Sequence, residues 1–173
     1  MKNLKPLEKE FKEKINILLQ KCNSAGYIFV PYSTIRTPIQ QAKLWRQSRS
    51  TSEIRSAVSM LLEEKANYLA KTLWSVGPQY GRWATNSLPG LSWHQHKEAI
   101  DCYLYFNNQA IWDDNHPGYK YCAEAALDLG LSPGYFWKNK DAGHIQKRDK
   151  KVTDVFSWID LDENMKLQFD RSE

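Results

Sequence analysis

A chain of 173 residues, 42% hydrophobic and 25% charged, has the balance of a soluble globular domain and the length to bury a core unaided, so disorder and a fibrous repeat are excluded. Its net charge of +4 is mild and its basic residues are scattered, which suits an acidic partner without naming one. No run is apolar enough to span a bilayer, and Cys22, Cys102 and Cys122, odd in number and without CxxC spacing, form neither a disulfide framework nor a cysteine-rich zinc site.

The first element is an amphipathic helix, with Leu4, Leu7, Phe11, Ile15 and Leu18 recurring at intervals of three and four and Asn23, Ser24 and Gly26 ending it. The Lys- and Glu-rich stretch from Met1 to Lys21 lacks the apolar run of a signal peptide, so synthesis in the cytoplasm without an export signal is expected. Tyr27-Ile28-Phe29-Val30 reads as a short strand halted by Pro31. Thr37, Pro38 and Gln40 supply an N-cap, a first-position proline and a capping-box partner for a helix through Trp45, which leaves Arg36 at a strand-to-helix junction. Ile54, Val58, Leu62, Leu69 and Leu73 predict one long amphipathic helix over residues 53–74, and residues 77–90 are irregular, as segments lining binding sites often are.

Residues 99–106 alternate, which puts Ile100, Cys102, Leu104 and Phe106 on one face of a strand and Asp101 on the other. Asn107-Asn108 is a turn, residues 112–118 a loop containing His116, and residues 119–129 a helix stopped by Gly130. A last strand is expected at residues 143–146, the basic cluster Lys147, Arg148, Lys150 and Lys151 reads as a solvated loop, and residues 152–169 can form a C-terminal helix. Aromatic residues reach 13%, enough for a rich core or for a wide stacking surface facing an extended ligand.

His94 and His96 precede the strand bearing Asp101, and His144 lies in the last strand, three residues after Asp141. Two histidines and a carboxylate suit zinc and leave a fourth position open, as a catalytic site requires, although the same donor types also bind iron. A hydrolytic site needs a separate base as well, for which Asp141 is well placed and Glu98 is a weaker rival.

The segment Ser92-Trp93-His94-Gln95-His96-Lys97-Glu98-Ala99-Ile100-Asp101 resembles the S-x-H-x-x-G-x-A-x-D signature of the zinc D-Ala-D-Ala carboxypeptidase and L-alanyl-D-glutamate endopeptidase family. Asp141-Ala142-Gly143-His144 is similar to its D-x-x-H, and Arg36-Thr37-Pro38-Ile39-Gln40-Gln41 to its R-T/S-x-x-x-Q; residues 84–90 resemble the phage-endolysin and bacterial endopeptidase branch. The resemblance implies an α+β fold of the Hedgehog and D,D-peptidase type, a small antiparallel sheet carrying a zinc site with helices packed around it. It also implies Zn2+ on His94, Asp101 and His144, Asp141 as catalytic base, and Arg36 facing the substrate or the developing oxyanion.

Ser92, His96 and Trp137 are then candidates for substrate contact, and the substrate implied is a peptidoglycan stem peptide. The expected protein is a single monomeric metallopeptidase domain over residues 1–173, with a helical insertion at about residues 46–84. No nucleic-acid partner is expected, for no recognised binding module is present. Lys97 stands where the signature has glycine, a residue that tolerates positive φ, so another backbone conformation or a redirected side chain is expected there. That departure keeps a second expectation open, a noncatalytic zinc-binding or wall-binding protein that retains the fold.

Overall fold

The computed structural model describes residues 4–170; the outermost residues of the expected 1–173 domain lie outside the described residues. The chain forms two compact units, one of Met1–Ile35 with His96–Asp149, the other of Arg36–Gln95 with Lys150–Glu173.

The first unit is built on an antiparallel sheet of β1 (Ile28–Ser33), β2 (Ala99–Phe106), β3 (Gln109–Ile111), β4 (Ser132–Pro133) and β5 (His144–Gln146), in the order β1-β2-β5-β4 with β3 also on β2. Helices α1 (Lys9–Ser24) and α5 (Pro117–Asp128) contribute to a common core with the sheet. Phe11, Ile15, Leu18 and Cys22 of α1 meet Ile100, Cys102 and Leu104 of β2 there, and each large apolar side chain so buried contributes roughly 1.5–3 kcal/mol. Glu8 caps α1, its carboxylate accepting from the N–H groups of Glu10 and Phe11. All three cysteines are free and buried.

The strand at residue 28 does not stop at Pro31 but continues to Ser33, with Pro31 opposite Cys102 and a register shift between Pro31 and Ser33. β1 lies at the edge of the sheet, where a residue without an N–H costs no interior ladder bond. Phe106 is 45% exposed despite its place in the apolar alternation, because β2 outruns the core before turning. Asn107 and Asn108 both take positive φ, the geometry of a two-residue hairpin turn, and lead into β3, which was not foreseen. α5 begins two residues earlier than expected, at Pro117, because the His116 ring caps it by accepting from the N–H of Gly118.

The second unit holds α2 (Pro38–Arg46), α3 (Thr51–Glu63), α4 (Asn67–Ser75) and α6 (Trp158–Phe169). The capping box of Thr37 and Gln40 is formed as expected. The helix expected over residues 53–74 is instead two, α3 and α4. Lys65 takes φ +63° and the N–H groups of Lys65 and Ala66 fold back onto Leu62 and Leu61, closing α3 without a glycine. Ala66 offers α4 no side-chain cap; both carboxylate oxygens of Asp162 on α6 receive its first N–H groups, from Tyr68 and Leu69. The stretch from Val152 opens as a short 3-10 turn and becomes α6 only at Trp158, behind a capping box of Ser157 and Asp160. No helix among the described residues is long and apolar enough to cross a membrane.

Candidate metal centre

In β2 the side chain of Asp101 leaves the face opposite Ile100 and Cys102, and the strand register sets it directly across from His144 of β5. The pair is 2.8 Å apart, His144 Nδ1 to Asp101 Oδ1, and both residues are buried. The other ring nitrogen, Nε2, lies 3.1 Å from Oε1 of Gln146, which shares a face of β5 with His144. Gln146 turns that way because its amide donates to the carbonyl of Arg148 at 2.6 Å, leaving only its acceptor oxygen for the histidine. Nε2 thus donates to Gln146, and Nδ1, which faces Asp101, is the ring atom placed to take a metal once its proton is displaced, the outer-sphere arrangement common among ligand histidines.

Burial opposes the charged form of His144, but the hydrogen bond and charge of Asp101, helped by Asp141, outweigh it and hold the pKa above the ordinary histidine value. A cation taken up here displaces a proton, so its affinity rises with pH.

His94 is 2% exposed on a 3-10 turn spanning Trp93–His96. The turn is anchored by Trp93, whose indole N–H donates to the carbonyl of Lys150 at 2.8 Å, and by buried Gln95, whose side-chain oxygen accepts from the N–H groups of Gly90 and Ser92. The N–H of Arg36 meets the carbonyl of His94 at 3.4 Å. His94, Asp101 and His144 each offer one ligand atom, and these atoms lie within 4.8 Å of one another. Two imidazoles and a carboxylate, all buried, are a donor set suited to zinc, and three protein ligands leave a coordination position free. His94, rather than His96, joins the other two; His96 is half-buried at the end of the turn.

Lys97, next along, takes φ +63°, in the left-handed region that glycine tolerates. Of the two alternatives expected here, a backbone without positive φ is thus corrected. A left-handed lysine costs about 1–2 kcal/mol, and the Lys97 carbonyl accepts from the N–H of Glu8 at 3.0 Å, one of the contacts that hold it.

Asp141 is exposed and opens a tight turn, with its N–H on the carbonyl of Gly134 and its carbonyl accepting from the N–H of His144 at 3.1 Å. Two close backbone approaches grip this turn: a Cβ on Gly134 would stand 2.5 Å from the Asp141 carbonyl oxygen, and one on Gly143 would stand 2.5 Å from that of Cys102. Trp137 is 37% exposed and its ring centre lies 5.1 Å from that of His144. Glu98 is withdrawn as a rival base, because its buried carboxylate is held by Arg148 through two bonds of 2.6 and 2.9 Å. Lys147, likewise, is no solvated charge: it bridges Glu8 and Glu10 at 3.0 and 2.7 Å.

Arg36 is half-buried, and its Nη1 donates to Oε1 of Gln41 at 3.0 Å. Gln41, fully buried, spends its amide N–H on the Ser87 carbonyl at 2.7 Å, so its oxygen must face Arg36. Ser92 is half-buried and joins the turn through its backbone N–H. Gln41 closes the R-T/S-x-x-x-Q segment, whereas Gln95 and Gln146 are supporting residues that belong to no fixed position of the motifs. Of these two, Gln146 had a usable signal, its two-residue spacing from His144 in a strand.

No family model matches the chain, and no curated protein matches it. Among solved structures it is similar to a mutant of the vancomycin resistance D,D-pentapeptidase VanY from a VanB-type resistance cassette, in complex with Zn(II). Identity is 15% over 92% of this chain and 83% of that one, with a TM-score of 0.49. So slight a likeness carries no residue role across.

Proposed function

We propose that this protein is a zinc-dependent peptidase that hydrolyses peptidoglycan stem peptides, as an endopeptidase of the L-Ala-D-Glu type or a carboxypeptidase of the D-Ala-D-Ala type, in the manner of a wall-lytic endolysin. The observation that carries the reading is the buried convergence of His94, Asp101 and His144, with Asp141 three residues before one of them. His94, Asp101 and His144 through Nδ1 would hold the metal. Zinc in such a set acts as a Lewis acid toward a peptide carbonyl and makes water more acidic. Asp141, exposed beside His144, accepts the proton from the attacking water and returns it to the leaving amine. Arg36, held by Gln41, offers a guanidinium to a substrate carboxylate or to the oxyanion. Ser92, His96 and Trp137 are the proposed substrate contacts. The noncatalytic alternative rests on Lys97 standing where the signature has glycine; the same digestion decides it, since a noncatalytic protein releases no termini with or without chelator.

The test is digestion of purified peptidoglycan with and without chelator, the released termini being identified by mass spectrometry. Chelator is expected to abolish cleavage, and Asp141→Asn to keep its zinc while losing about 10²–10⁴-fold in rate. Cleavage insensitive to chelator, or full activity in Asp141→Asn, overturns the mechanism.

A further inference from the structure

The face of the sheet that bears Asp101 carries an aromatic patch two residues further along the same strand. Tyr103 follows Asp101 in the alternation of β2 and stands opposite Val30 of β1. Its ring centre lies 5.1 Å from that of Trp112, just beyond β3, and 6.1 Å from that of Tyr32 of β1, while Tyr32 and Trp112 meet edge-on at 5.4 Å. Trp112 is 62% exposed and Tyr32 43%. Three rings from three segments thus converge where large apolar groups gain nothing from the core, whose contacts are made by the alternate residues Cys102 and Leu104. Large aromatic side chains gathered on a surface in this way mark a place of contact with a ligand.

We infer that Tyr32, Tyr103 and Trp112 form a binding platform for a neutral saccharide, continuous with the metal centre along β2. A sugar ring has an apolar C–H face and hydroxyls at its edge. The patch matches both, with ring faces for the first and two phenol hydroxyls and an indole N–H for the second. A polyanion gains little here, because Trp112 is followed at once by Asp113 and by Asp114, whose charge already holds Lys140 at 3.2 Å. An apolar peptide side chain calls for a concave pocket, whereas these rings present an exposed face.

At about 3.4 Å per strand residue, Tyr103 lies about 7 Å along β2 from Asp101. In peptidoglycan the sugar is acyl-linked to the first residue of the stem. At about 3.5 Å per extended residue, a sugar on this platform leaves room for the first peptide bond at the metal centre, whereas the bond after the fourth residue lies more than 10 Å further out. That the sugar belongs to the polymer whose peptide is cut rests on the proposed function; the binding of sugar to the rings does not.

The experiment is an NMR titration of the full chain with a tetramer of N-acetylglucosamine and, separately, with a sugar-free stem peptide, following the indole N–H of Trp112. The saccharide is expected to shift this signal in a saturable way, and Trp112→Ala to weaken its binding about tenfold or more, one good aromatic contact. Trp112 is exposed enough to be replaced without loss of folding, and Tyr32→Ala is a second variant expected to weaken binding in the same sense. Absence of any shift overturns the platform, as does saccharide binding unchanged in both variants, or a Trp112 signal moved by the peptide alone. Saccharide binding by a chain that cleaves no peptidoglycan would uphold the platform and sink the proposed function instead.

Discussion

The segments that carry the candidate metal ligands are held in place by opposite means. Asp101 and His144 face each other across a backbone ladder, their positions fixed by the β2–β5 register and the two close approaches at Gly134 and Gly143. His94 lies on the 3-10 turn that follows a stretch, residues 76–92, with no helix or strand. Polar side chains pin that stretch: Gln41 to Ser87, Gln95 to Gly90 and Ser92, and Arg49 to the Thr85 carbonyl. The Arg49 guanidinium lies between the rings of Trp45 and Trp83, 3.9 and 3.7 Å from their centres. A ladder spreads its cost over many backbone bonds, whereas a pinned loop depends on a few atoms, each of which a single substitution can remove.

The sharpest way to break this contrast is Gln41→Leu, which strips a partner from half-buried Arg36 and from the Ser87 carbonyl and replaces a side chain that is itself fully buried. Unfolding in urea should show a loss of about 2–3 kcal/mol. A loss below about 0.5 kcal/mol would mean that packing, rather than this amide, holds the loop. On the ladder side, Gln146→Leu leaves the strand pairing intact but frees Nε2 of His144 from its acceptor. Competition with a chromophoric chelator should show zinc affinity falling about 10–100-fold, and unchanged affinity would remove Gln146 from the site.

The smallest effect expected is one of acidity. Glu8 is held down to about 2, chiefly by the N–H of Phe11 against some cost of burial, with Lys147 helping. A carboxylate lowered in the folded state stabilises fully above its unfolded value near 4.5 and loses that contribution as pH falls toward 2. The side chain is 36% exposed, so solvent screens the effect. Denaturation followed between pH 5 and 2 should therefore be slightly less steep in Glu8→Gln than in the parent chain, and identical slopes would contradict the assignment.

The same contrast decides what could be read from the chain beforehand. β2 was legible because alternation is a local pattern, and it put Asp101 on the correct face without any knowledge of its partner. Pairing of that face with His144 was not legible, since β5 has only three residues and β4 two. The helix at Thr37 announced itself through residues adjacent in sequence. The division of residues 53–74 did not, because α4 takes its cap from Asp162, more than ninety residues away. The ordered motifs around Arg36, His94 and Asp141 pointed to the candidate site by resemblance, with Gln41 inside the first of them. Gln95 and Gln146 bond within five residues of themselves, but such side-chain bonds have no periodic signature, and the bond of Gln41 to Ser87 spans 46 residues.

Lys97 has a consequence for how such signatures are written. The left-handed φ is present at that position and the glycine is not. A pattern spelled in residue letters counts the chain as a mismatch there, while one that asked for a left-handed residue would accept Lys97. In this chain the turn takes a left-handed residue at that point, a conformation that glycine would adopt at less cost than lysine does.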